Sequence, residues 1–135
     1  DKVSTYMQTR WYRSPEVILG YKRINYLIDI WSLGCIIYEL YTGKVLFPGQ
    51  NELEQVVRFY ILLGGPEPKF KHLCEHRFYF NKMRTLKYCY KNKYASEFNL
   101  NNALFEDLLL SFLRWEPYNR ITLEDALKHK WMTIT

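Results

Sequence analysis

The spacing of apolar residues changes several times along the chain, and each change marks an element. Residues 1–20 mix polar and aromatic side chains with neither helical nor alternating periodicity until Pro15-Glu16-Val17-Ile18-Leu19, which predicts a loop closing in a short helix. From Ile24 to Thr42 apolar residues occupy nearly every side of a helical wheel, the pattern of a helix enclosed by protein, and Gly43 is placed to end it. Phe47-Pro48-Gly49-Gln50 reads as a turn. Asn51 can then cap an amphipathic helix in which Leu53, Val56, Val57, Tyr60 and Ile61 recur on one face, until Gly64-Gly65-Pro66 breaks it.

From Glu67 to Asn102 the periodicity is weak, so loops and short helices are expected. Ala103 to Arg114 predicts another helix, with Leu104, Leu108 and Phe112 on one face and Glu116-Pro117 ending it. Thr122-Leu123-Glu124-Asp125 has the form of a capping box for a last helix running through His129, with Asp125 near the positive end of the macrodipole. These elements predict a mainly α fold in four stretches: residues 1–20, 21–66, 67–102 and 103–135. No internal repeat or low-complexity tract is present.

With 135 residues and an ordinary balance of hydrophobic and charged positions, the chain can bury one core. The longest apolar run, Tyr26 to Tyr41, contains Asp29 and Glu39 and falls short of the roughly twenty apolar residues needed to cross a bilayer. A buried helix is the better reading, and no membrane partner is expected. The net charge of +5 changes the picture only once its position is known. Between Glu67 and Glu97 eight Lys/Arg stand against three acids, so this segment carries the whole surplus and the remainder is neutral. Aromatic residues interleave with those cations, among them Phe70, Phe78, Tyr79, Phe80, Tyr88, Tyr90 and Tyr94. Such a stretch could stack nucleobases and neutralise phosphates, but a solvated basic face that docks a protein partner is the commoner outcome and the one expected here.

Three cysteines, Cys35, Cys74 and Cys89, are odd in number and lack CxxC spacing, which argues against a disulfide framework and for a reducing, intracellular compartment, cytoplasm or nucleus. His72 and His76 could share a helical face, yet no further ligand cluster flanks them, and no metal site is expected. The chain begins at Asp1 without Met or a signal-type apolar segment, which suggests a start inside a longer protein.

Three motifs carry the chemistry. Thr9-Arg10-Trp11-Tyr12-Arg13-Ser14-Pro15-Glu16 resembles the end of a protein kinase activation segment, Asp29-Ile30-Trp31-Ser32-Leu33-Gly34-Cys35 resembles the central helix beneath it, and Trp115-Glu116-Pro117-Tyr118-Asn119-Arg120 resembles the approach to the last helices. The chain is thereby identified as similar to the large lobe of a protein kinase, from the activation segment to the last helix. The spacing from Tyr6 to Arg13 resembles the CMGC group, which includes the mitogen-activated, cyclin-dependent and dual-specificity tyrosine-regulated kinases. Gln8, Ser14-Pro15-Glu16-Val17 and Asn51-Glu52 lean toward the last of these, although Ser4 stands where that branch usually carries a second Tyr.

The resemblance assigns roles residue by residue. It implies that Glu16 pairs with Arg120 beneath the loop, a contact a buried carboxylate would need. Asp29, together with Trp31 in the central helix, becomes an anchor, expected to be buried and to hold a catalytic loop through backbone amides. Gln8, Thr9, Arg10, Trp11 and Arg13 would form the floor for the substrate residue that follows the phosphoacceptor, with a bias toward proline there, and Thr9 would hydrogen-bond the catalytic Asp and Lys. Tyr6 is the expected phosphosite, with Arg10 and Arg13, four and seven residues on, as the guanidinium forks for its phosphate. The segment 67–102 would correspond to the insert that distinguishes CMGC kinases and docks partners.

The implied activity of the intact protein is transfer of the ATP γ-phosphoryl to a hydroxyl of a protein substrate, serine/threonine or dual-specificity, with Mg²⁺. The sequence holds no Gly-rich phosphate loop, Val-Ala-Ile-Lys strand, His-Arg-Asp loop or Asp-Phe-Gly, so no catalytic residue and neither cofactor is assigned to this stretch. The competing reading is a truncated lobe or pseudokinase that scaffolds partners without catalysis.

Overall fold

The computed structural model describes residues 9–83 and 100–133. Its elements follow in order: a 3₁₀ turn at Arg10–Tyr12, then α1 (Pro15–Leu19), α2 (Leu27–Thr42), α3 (Glu52–Leu63) and α4 (Pro68–His72). Residues 78–83 are helical. Then come α5 (Ala103–Phe112), a 3₁₀ turn at Pro117–Asn119, α6 (Leu123–Leu127) and α7 (Lys130–Thr133). Among the described residues there is no strand, only an isolated bridge between Tyr21 and Cys74.

Helix α2 is the axis of the core and packs principally on α5. The helices approach closely because Gly34 faces Phe112 and Leu113, where an added Cβ would lie 2.8 Å from the Phe112 Cβ. Around Trp31, which is wholly buried, Phe47 stacks at 5.7 Å and Phe59 meets it edge-on at 5.0 Å. Trp115 extends the cluster, with its ring 5.8 Å from Phe59 and its indole N–H donating to the Gly64 carbonyl at 3.0 Å. At the far end of α2, Tyr41 stacks on Phe105 at 4.0 Å, and Trp131 from α7 closes over both. Large aromatic faces thus supply much of the apolar area removed from water.

Local signals set several ends as expected. Gly43 takes φ +75°, a left-handed conformation that costs glycine little, and its N–H returns to the Glu39 carbonyl to close α2. The Asn51 and Thr122 side chains accept from the N–H groups of Glu54 and Asp125, capping α3 and α6.

Other expectations are corrected. Helix α2 begins at Leu27, not Ile24, because the Asn25 side chain accepts from the Leu27 N–H at 3.0 Å and its backbone turns outside the helix. Nor is α2 enclosed on every side, since Ile36 and Leu40, four residues apart, are exposed, Leu40 at 82%. Helix α5 stops at Phe112, short of Arg114, and the carbonyls of Arg114 and Trp115 turn instead to the Arg120 guanidinium. Its buried stripe is Phe105, Leu108, Leu109 and Phe112, with Leu104 half-buried at its edge. The last helix is split into α6 and α7 rather than running unbroken to His129.

Candidate functional site

The short helix α1 delivers Glu16 into the core at 1% exposure, and the second 3₁₀ turn delivers Arg120 from the other end of the chain at 5%. Their side chains form a two-pronged ion pair, Arg120 Nη1 to Glu16 Oε2 at 2.6 Å and Nη2 to Oε1 at 2.6 Å. The guanidinium has five N–H donors. The other three go to backbone carbonyls: Nη1 to Leu27 at 2.8 Å, Nε to Arg114 at 3.0 Å and Nη2 to Trp115 at 3.5 Å. Below it lies the Trp31 ring, 5.3 Å from the guanidinium carbon. One arginine therefore gathers α1, the start of α2 and the segment after α5.

From Glu16 the chain runs back toward solvent. Residues 14–19 are buried, Tyr12 and Arg13 are half-buried, and Thr9, Arg10 and Trp11 are exposed. The exposed part is held by a lattice of single contacts. The Trp11 indole N–H donates to the Gly49 carbonyl at 3.1 Å, and Arg10 Nη1 donates to the Gln50 carbonyl at 2.9 Å. Gln55, fully buried on α3, accepts from the Gly49 N–H at 2.7 Å and donates to the Arg10 carbonyl at 2.9 Å. Arg13 pairs with Glu52 at 2.9 Å, and the second oxygen of Glu52 accepts from the Tyr79 hydroxyl at 3.1 Å. On the other side the Tyr12 hydroxyl donates to Glu39, a bond that with burial holds its pKa above the usual value, and the Ser32 hydroxyl donates to the Tyr12 carbonyl at 2.8 Å. The result is a shaped, solvent-facing turn at Thr9–Arg13 whose backbone is fixed from α2 and α3.

The other residues singled out in the sequence fall as follows. Thr9 precedes the 3₁₀ turn in extended conformation, and its carbonyl accepts from the Tyr12 N–H at 3.1 Å. Asp29 lies in the first turn of α2 and is exposed, so its expected burial is corrected for this chain. Within the described residues, the apolar neighbours of Asp29 pack on the opposite faces of the helix. Tyr6 and Gln8 lie outside the described residues. In the sequence Gln55 and Glu39 stand outside every motif, while Tyr12 and Glu52 stand within motifs that carry the resemblance but assign them no contact. Only Gln55 offered a signal, as an amide beside Val56 on the buried side of an amphipathic helix.

The family model for the protein kinase domain matches residues 1–132. The chain belongs to the protein kinase family. It is 43% identical to dual specificity tyrosine-phosphorylation-regulated kinase 4 of Homo sapiens, a match covering 98% of this chain and 27% of that protein. It is 39% identical to mitogen-activated protein kinase MKC1 of Candida albicans, over 98% of this chain and 26% of the relative, and 36% identical to mitogen-activated protein kinase 14 of Xenopus laevis, over 97% and 36%. These relatives place the chain in the CMGC group. The kinase chain spans between about a quarter and a little over a third of the length of these relatives. Its mainly helical architecture is that of a kinase large lobe.

The kinase family implies ATP and Mg²⁺ in the intact enzyme. Among the described residues no three His, Cys, Asp or Glu side chains are grouped to hold a metal ion. No glycine-rich phosphate loop occurs in the sequence. Among the described residues no helix is long and apolar enough to cross a membrane.

Proposed function

We propose that this segment is the substrate-positioning part of an intact serine/threonine or dual-specificity protein kinase, which transfers the γ-phosphoryl of ATP to a protein hydroxyl with Mg²⁺ held by segments outside this chain. The supporting observation is the gradient along residues 9–16, from an exposed turn at Thr9, Arg10 and Trp11 to the buried Glu16–Arg120 pair. Phosphoryl transfer is catalysed largely by positioning, and a rigid floor for the residue after the phosphoacceptor is what such a gradient supplies. The reading is tested with the full-length protein, Mg-ATP and a peptide library that varies the acceptor and the residue after it. Transfer to Ser and Thr, favoured by a following proline, is the expected result. Transfer to no hydroxyl at all would leave the scaffold reading in its place.

Regulation follows from the same turn. Phosphate on Tyr6 would take Arg13 from Glu52 and recruit Arg10, ordering the segment. The partly buried Arg13–Glu52 pair is a single bond worth about 1 kcal/mol, whereas each charge-assisted bond to a phosphate dianion contributes about 1.5–3 kcal/mol. Arg13→Gln should erase most of the activity difference between the phosphorylated and Tyr6→Phe enzymes. Equal activity of the parent, shown to be fully phosphorylated on Tyr6, and Tyr6→Phe would remove the switch. The basic stretch 67–102 is read as the surface on which a protein partner docks.

A further inference from the structure

A cleft of about 850 Å³ lies away from the activation segment and shares no residue with the turn at Thr9–Arg13 or with the loop that holds it. Its apolar lining comes from Leu63 and Leu73, both half-buried, with the edge of Trp115 beside them above the buried Phe70 and Leu113. Its rim carries three cations from three separate segments: Arg23 from the α1–α2 connection, Lys69 from α4 and Arg114 from the end of α5. All three are exposed, and among the described residues none has an ion-pair partner.

Two carboxylates also line the cleft, and they do not balance those cations. Glu116 is spent internally, one oxygen accepting from the Tyr21 hydroxyl at 2.7 Å and the other from the Tyr118 N–H at 3.4 Å. Glu116 keeps its charge, so three cations face two carboxylates, of which only Glu67 is exposed and free of such contacts. An apolar floor under a cationic rim selects a ligand with an apolar anchor flanked by negative charge. The volume lies within the range of about 300–1,000 Å³ typical of ligand pockets.

We propose that this cleft docks an acidic protein segment, an aromatic or aliphatic side chain seated on Leu63, Leu73 and the edge of Trp115 and flanking Asp or Glu carboxylates paired with Arg23, Lys69 and Arg114. Cations supplied by three segments suit carboxylates spaced along an extended peptide better than a single compact anion. The site stands independently of the activation segment. It shares Lys69 and Phe70 with the basic stretch and gives that stretch a partner chemistry.

The test is fluorescence anisotropy on the full-length protein with a labelled octapeptide of Asp and Glu around a central Leu-Trp, against the same peptide with Lys at every acidic position. Saturable binding of the acidic peptide alone is expected, weakening with salt and losing about tenfold in affinity in the Arg23→Glu, Arg114→Glu double variant, because reversed rim charges repel as well as fail to attract. Should that variant melt early, Lys69→Glu serves in its place, with a several-fold loss expected. Equal binding of both peptides, or an affinity unmoved by the reversals in folded protein, overturns the proposal. So does binding of phosphatidylserine vesicles through the same three cations when the acidic peptide fails to bind, since the anion would then be a lipid headgroup.

Discussion

Removing Glu16 should cost this lobe a large share of its stability. The Glu16→Ala change deletes two 2.6 Å bonds to Arg120 and leaves a guanidinium buried at 5% exposure with only the carbonyls of Leu27, Arg114 and Trp115 around it. Breaking one partner out of a buried ion pair costs about 3–5 kcal/mol, because the remaining charge stays desolvated. Arg120→Ala should sit at the top of that range, since it strands the carboxylate and orphans three carbonyls as well. Arg120→Lys should recover little, because an ammonium has three donors where five acceptors wait.

The double variant Glu16→Ala, Arg120→Ala separates an ion pair from two unrelated sites. With no net charge left behind, its loss should fall short of the sum of the single losses by about 2 kcal/mol or more. Urea denaturation followed by tryptophan fluorescence measures this, and Trp31 and Trp115 report directly because both contact the pair. A Glu16→Ala loss below about 1 kcal/mol, or strict additivity in the double variant, would refute the reasoning.

Three further outcomes follow from single contacts. Gln55→Ala removes the bridge between the Gly49 N–H and the Arg10 carbonyl, so KM for a protein substrate should rise with a stability cost of about 1–3 kcal/mol, and an unchanged KM counts against the bridge. Gly34→Ala places a Cβ 2.8 Å from the Phe112 Cβ; overpacking costs about 1–3 kcal/mol against a helix-propensity gain near 1 kcal/mol, so Tm should fall, and a rise would show that the interface yields. Burial pushes the Cys74 thiol from 9.0 up to about 12, and the Tyr60 and Tyr79 phenols from 10.0 up to about 12. Groups raised on folding stabilise fully below their unfolded pKa and lose that contribution as pH climbs through the folded one, so the urea midpoint should hold to pH 9 and decline toward pH 12. A Cys74→Ala variant should decline less, and an identical alkaline profile would contradict it.

Signals carried by a few neighbouring residues were legible in the sequence. Gly43 as a stop and Asn51 and Thr122 as caps depend only on backbone conformation and one side chain, and each stands where expected. The start of α2 was misplaced because Ile24 continues the apolar pattern, while Asn25 competes for the Leu27 N–H, a contact that periodicity does not weigh. The face of α5 holds Leu108 and Phe112 as expected but is wider than the spacing of four suggests. A spacing of four through Leu104 ignores the wider stripe that a helix between two neighbours buries, and Phe105 is pulled inward by Tyr41 and Trp131. Asp29 and the Ile36–Leu40 strip of α2 are exposed although apolar residues flank them in sequence. Their apolar neighbours implied cover, which periodicity alone cannot place on one side of a helix or the other.

The site divides along the same line between local and distant causes. Glu16 and Arg120 are 104 positions apart, and only the family motifs at both ends joined them in the sequence. Tyr79, Glu39 and Gln55 bear no such motif, Glu52 stands in one that assigns it no contact, and their hold on the turn follows from where the fold puts them. That difference has an energetic counterpart. The anchor is dry and cooperative, so damage there should appear as lost stability, whereas the turn at Thr9–Arg13 is wet and held by single bonds worth about 0.5–1.5 kcal/mol each. Substitutions in the turn should therefore alter how substrate sits while leaving the fold intact. On the proposed substrate-positioning role, a rigid root and a lightly tied tip would let the turn accept different side chains and return to one geometry.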